Sequence, residues 1–152
     1  MSLSVDTRLP LQITPASAAD AGARGIDVRL MAEVRPAVTR YCRARLGCAE
    51  RAAELARAVC RTITATAPST GDEAVLTAFV YRTAKAAVDG ADGAEPTGLP
   101  VQLDQLPPAE REVLVLRVAV GLSLERTAAA LGASPELVRR VQHQALQHLR
   151  SA

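Results

Sequence analysis

A chain of 152 residues with a formal net charge of +2 can hold one modest domain or two small ones, and the charge is too small to argue nucleic-acid binding by itself. Half of it is hydrophobic, yet with one Phe, two Tyr and no Trp. That suits close-packed, Ala-rich helices better than a β-sandwich, whose strands favour β-branched and aromatic residues.

Residues 1–25 mix Pro, Ser, Thr, Gly and Ala without sustained periodicity and read as a disordered tail. From Ile26 the pattern turns helical. Leu30, Met31, Val34, Val38, Tyr41 and Cys42 follow three- and four-residue steps. Pro36 should kink this helix or start its second half, and Gly47 should stop it. A second helix, roughly 50–65, puts Leu55, Val59 and Ile63 on one stripe. Glu50, Arg51, Glu54, Arg57 and Arg61 lie on its other side. APSTGD breaks the chain, and Asp72 can cap a third helix containing Val75, Leu76, Phe79, Val80, Thr83 and Ala87. Residues 27–66 carry eight Arg against four acids, and 72–95 carry two bases against five acids. This asymmetry fits docking onto an acidic or helical partner as well as it fits ordinary solvated faces.

Residues 91–105, rich in Gly and Pro, form the expected linker. Beyond it, Pro107 and Pro108 suit the start of a helix, to which Val113, Leu114, Leu116, Val118 and Val120 should give a broad buried face. Glu110 and Glu112 alternate at its exposed start and should stabilise its N-terminus. Gly121 ends it. Ser123 can cap a second helix running to Leu131, Gly132 supplies a left-handed turn, and Ser134 with Pro135 opens a third.

The spacing of the packed residues points to function. Ala128, four before Gly132, lets two helices cross closely, while Val138 and Val141 fall on the inward face of the last helix. Small residue, turn glycine and two inward apolars are what a helix-turn-helix needs. Its outward face presents Ser134, Glu136, Arg139, Arg140, His143 and Gln144, with Ser123 at the start of the preceding helix. Arg can pair with guanine edges, Gln with adenine, and both with phosphate. A hairpin packed on another protein, with its Arg residues merely solvated, is the alternative.

No catalytic constellation accompanies this. There is no Ser–His–Asp spacing, no phosphate-cradling Gly loop and no carboxylate pair at an evident pocket, so no enzyme is expected. Cys42, Cys48 and Cys60 make an odd count without a disulfide framework, and His143 and His148 lie far from them without zinc spacing. No metal or cofactor is expected, and Cys42 and Cys60 read as packed small hydrophobes. With no leader pattern and no membrane-length apolar run, a reduced cytoplasmic protein without a membrane partner is the expectation.

LPPAEREVLVLRVAVGLS, TAAALG and the capped VRR–QHQAL–LR tail resemble the promoter-reading domain of the extracytoplasmic-function sigma factors of bacterial RNA polymerase, within the sigma-70 family. The nearest likeness is to the actinobacterial sigma factor D group. RPAVTRYCRARLG and LTAFVYRTAKAAVD resemble a shortened form of that family's polymerase-binding domain. The resemblance implies an all-α protein of two small helical domains: 26–90 polymerase-binding, 91–105 a flexible linker, and 106–152 a helix-turn-helix. It implies core RNA polymerase and promoter DNA as partners, with an anti-sigma factor as a further one. Arg139, Gln142 and His143 match the group's reading helix, whereas Gln144 stands where a basic residue is common. The polymerase-docking helix would be the second, presenting Arg51, Glu54, Arg57 and Arg61. There Arg57 stands where the family is polar or acidic, so that restoring an acid should not weaken docking. Two other readings remain: a helix-turn-helix regulator without polymerase docking, and a degenerate sigma relic acting as a protein-interaction module.

Overall fold

The structure, a computed structural model, describes residues 26–91 and 101–152. The expected tail, 1–25, and residues 92–100 of the expected linker lie outside the described residues.

Helix α1 spans Val28–Leu46. Asp27 caps it by accepting from Arg29 N–H, and Gly47 closes it at φ 69°, a left-handed conformation that suits glycine. Pro36 sits inside this continuous helix rather than starting a second one. Its ring forgoes one main-chain bond, while burial of Met31 on one side and Val38, Tyr41 and Cys42 on the other holds both halves in the core. Helix α2, Ala49–Thr66, buries Ala52, Ala56, Val59, Cys60 and Ile63 at helical spacing. Helix α3, Glu73–Asp89, starts at Asp72, whose carboxylate accepts from Ala74 and Val75 N–H.

The C-terminal region begins earlier than its sequence suggests. A single turn, α4, spans Val101–Asp104 inside the expected linker, and Leu103 packs on Leu106, Leu114 and Ala145. Helix α5, Pro108–Leu114, continues through a π-wound stretch, Val115–Val120, to Gly121 at φ 82°. Helices α6, Leu124–Leu131, and α7, Pro135–Ser151, complete the chain.

The two helical regions share one core. Val115, Leu116, Val120 and Ala130 join Val38, Tyr41, Cys42, Ala84 and Val88 in a single apolar cluster. Meanwhile Val113 packs on Ala128 and Val138, and Leu114 on Ala145. The stretch Val113–Val120, the end of α5 and its π-wound continuation, is apolar nearly all round, so it is sandwiched between α1 and the two following helices rather than lying on one of them. Val118 is the exception to its expected buried face, at 75% exposed. The separate domains expected on either side of the linker are therefore packed together in this structure.

Candidate nucleic-acid interface

The turn between α6 and α7 is built from the residues its local chemistry requires. Gly132 lies at φ 63°, ψ 34°, where a side chain would strain the backbone. The N–H of Ala133 reaches the Ala128 carbonyl at 2.9 Å, the long-range bond of a glycine-terminated helix. Ala128 is 3% exposed, against Val113 and Val138, so its single methyl sets how closely the helices cross. Ser123 caps α6 by accepting from Arg126 N–H at 3.1 Å, and Ser134 caps α7 by accepting from Leu137 N–H at 3.2 Å. Thr127, fully buried, donates its hydroxyl to the Ser123 carbonyl.

This frame decides which side of α7 is available. Val138 and Ala145 are buried and Val141 is half-buried. Glu136, Arg139, Arg140, His143 and Gln144 are exposed. Positions 136, 139, 140 and 143 recur at helical spacing and share the face opposite Val138. Arg139 and Arg140 make no side-chain hydrogen bond or ion pair among the described residues, leaving both guanidinium groups to a partner. His143 faces solvent beside Gln147, with 3.1 Å between His143 Nε2 and Gln147 Nε2.

Gln142 is placed differently. It is half-buried, and its amide oxygen accepts from Arg117 Nε at 3.1 Å; the same Arg117 donates to the Leu122 carbonyl at 2.6 Å. Arg has no acceptor, so the oxygen must be the amide atom that faces it. Gln142 ties α7 to the π-wound end of α5 and is turned away from the face that carries the arginines.

Two residues expected to be exposed are buried. Glu110 is 7% exposed and bonds His148 Nδ1 at 2.7 Å across α5 and α7. Glu112, 6% exposed, accepts from the Tyr41 hydroxyl and from Arg45. Residues two apart on a helix point to opposite sides. With α5 covered on both sides, each acid meets a different neighbour. The apolar residues around Val113–Val120, which follow directly, were the sequence signal that the two acids could not both be solvated. Burial, followed by the Glu112 charge, pushes the Tyr41 hydroxyl far above its usual range, and Tyr81, in edge-to-face contact with it at 5.8 Å between centroids, is raised by the same causes.

On α2, Arg51, Glu54, Arg57 and Arg61 are all exposed. Arg57 and Arg61 border a groove with Arg35 of α1 over a floor of Ala53, Ala56 and Cys60. Burial raises the Cys60 thiol pKa, with Arg35 opposing. Among the described residues no group of His, Cys, Asp or Glu could hold a metal ion, and no helix is long and apolar enough to cross a membrane.

Residues 102–151, the whole of the helix-turn-helix frame, match the family described as Sigma-70, region 4. Over 165 residues the chain is 36% identical to the ECF RNA polymerase sigma factor SigD of Mycobacterium tuberculosis, a match covering 86% of this chain and 78% of that protein. Over 49 residues it is 57% identical to the ECF RNA polymerase sigma factor ShbA of Streptomyces griseus, covering 32% of this chain and 26% of that one. Among solved structures, that of CnrH in complex with the cytosolic domain of CnrY shares the fold, with a TM-score of 0.51 at 19% identity, covering 88% of this chain and 92% of that one.

Proposed function

The chain belongs to the extracytoplasmic-function RNA polymerase sigma factors, non-catalytic factors of transcription initiation, and we propose which of its surfaces do that work. The exposed face of α7 reads the upstream promoter element. Arg139, Arg140 and His143 meet base edges, while Ser123, Ser134 and Gln144 contact the sugar–phosphate backbone. Glu136, on the same face, accepts from a cytosine amino group or excludes a competing base. Gln142 contributes by holding α7 in place. The α2 face with Arg51, Glu54, Arg57 and Arg61 docks on core polymerase. The solved relative CnrH carries the cytosolic domain of CnrY, which supports a protein regulator of the anti-sigma kind for this chain too. All of this takes place in the cytoplasm, where polymerase and promoter meet.

The observation that carries the DNA assignment is the pairing of opposite faces on α7. Val138 and Ala145 lock one side into the core, and Arg139 and Arg140 stand unpaired on the other. The test is a pull-down of mycobacterial core polymerase by the purified chain, followed by transcription from a library of promoter fragments. Binding with chain-dependent start sites is the expected result. Duplex binding without polymerase capture would reduce the protein to a DNA-binding regulator, and the absence of both would overturn the assignment.

A further inference from the structure

The groove between α1 and α2, about 540 Å³ in volume, is lined by basic and small residues and by no carboxylate. Its α2 wall is two neighbouring rows at four-residue spacing, Ala53–Arg57–Arg61 and Ala56–Cys60–Thr64, and Arg35 borders them from α1. Arg35, Arg57 and Arg61 are exposed, and none makes a side-chain hydrogen bond or ion pair among the described residues. We propose that this groove seats an amphipathic helix of a partner protein, one that carries carboxylates a turn apart beside a stripe of apolar residues. The proposal goes beyond the docking assignment for α2, because it uses Arg35 and fixes the charge of the partner.

Charge sets the sign of the partner. Residues 27–66 carry eight Arg against four acids, and three of those arginines gather where no carboxylate of the lining offsets them. An acidic surface is attracted there and a basic one repelled. Spacing sets the partner's form. Side chains four residues apart make the ridges between which a second helix packs, and Ala53 and Ala56 let its backbone come close. Arg57 and Arg61 stand roughly 6 Å apart along α2, the spacing of two acids one turn apart on an incoming helix. The floor disfavours a compact phosphate. Every lining residue lies within a helix, where main-chain N–H groups are already bonded. The hydroxyls of Thr39 and Thr64 donate to the carbonyls of Arg35 and Cys60, each at 2.9 Å. What the floor offers is methyl groups and the Cys60 thiol, which suit an apolar stripe.

The test titrates the full chain with a synthetic Ala-rich peptide of about four turns, long enough to be helical. It bears Glu at i, i+4 positions beside an Ala/Leu stripe, and a second peptide carries Gln in place of each Glu. The Glu peptide should bind, with affinity that falls as salt rises, and the Gln peptide should bind far more weakly. Arg57→Gln/Arg61→Gln should weaken binding of the Glu peptide about tenfold and Arg35→Gln about threefold, as partly exposed ion pairs do. Arg43→Gln, exposed on α1 but outside the groove, should bind as the parent. Equal binding of the two peptides overturns the proposal, as does an equal loss from Arg43→Gln. Binding of inorganic pyrophosphate in preference to the Glu peptide overturns it too and makes the groove a phosphate site. Capture of core polymerase by the parent chain is followed in parallel. Peptide binding without capture supports the groove and counts against the docking assignment alone, whereas capture without peptide binding overturns the groove alone.

Discussion

Glu112 of α5 accepts a hydrogen bond from the Tyr41 hydroxyl at 3.0 Å and another from Arg45 at 2.7 Å, both donors standing on α1. Arg45 also reaches Asp89 at the end of α3. One carboxylate of the C-terminal region thus closes a charged network inside the N-terminal region. Its side chain is 8% exposed, and that of Arg45 is 19% exposed.

Removing one partner of so enclosed a pair leaves the other desolvated without compensation. Glu112→Ala should therefore cost about 3 kcal/mol of unfolding free energy, in the range for breaking a buried ion pair. Arg126–Glu73 also joins the two regions, at 2.6 Å, but its side chains are 51% and 66% exposed. Glu73→Ala should cost less than about 1 kcal/mol. Urea denaturation of both variants checks the contrast, and comparable losses would mean that burial is not what distinguishes the two bridges.

Ala128 admits no larger side chain at the crossing of α6 and α7. Ala128→Leu should destabilise by about 2 kcal/mol through overpacking and also lower DNA affinity, because α7 is displaced. Gly132→Ala meets no steric neighbour, so its cost is confined to the left-handed backbone, about 1 kcal/mol. Thermal unfolding with a parallel DNA-binding titration separates the two mechanisms: the alanine variant should keep its affinity once folded.

The exposed face of α7 makes a prediction in salt. If Arg139 reads a base and Gln144 lies over phosphate, Arg139→Ala should cost about 1–3 kcal/mol and relax preference at one base pair. Gln144→Arg should tighten binding to all duplexes and steepen the salt dependence by about one counterion. Affinities measured at two or more salt concentrations distinguish these outcomes. A uniform loss for Arg139→Ala across sequences would move that residue to the backbone.

Cys42 is fully buried in the shared core, and burial, with Cys60 nearby, pushes its thiol up to about 11 from an ordinary 9.0. The folded state therefore holds this proton more tightly than the unfolded chain does. Its contribution to stability is complete below pH 9 and is lost as the pH rises toward 11, since the unfolded chain gains by ionising first. Unfolding free energy measured across that interval should fall, and less so in Cys42→Ala after its lower baseline is subtracted. Alkylation of native protein at neutral pH should spare Cys42 and reach the half-buried Cys48.

The chain's local structure was legible because local chemistry sets it. Asp72, Ser123 and Ser134 announce helix starts through side chains that accept from main-chain N–H groups nearby. Gly47, Gly121 and Gly132 announce ends because only glycine takes positive φ without strain. The order of helices, the spacing of Ala128, Gly132 and Val138, and the outward position of Arg139, Arg140 and His143 follow from those signals and from a 3.6-residue period. The resemblance carried by the same residues reached the family as well.

Tertiary structure alone decided which partners the polar groups of α5 and α7 meet. Glu110, Glu112 and Gln142 are hydrophilic residues at helical positions that propensity leaves open. Their partners, His148, Arg45 with Tyr41, and Arg117, lie 25 to 71 residues away along the chain. No periodicity encodes such distances. Sequence by itself determined the last helix and its exposed arginines; packing both regions around one largely apolar segment determined which partners its two acids meet and that the two regions share a core.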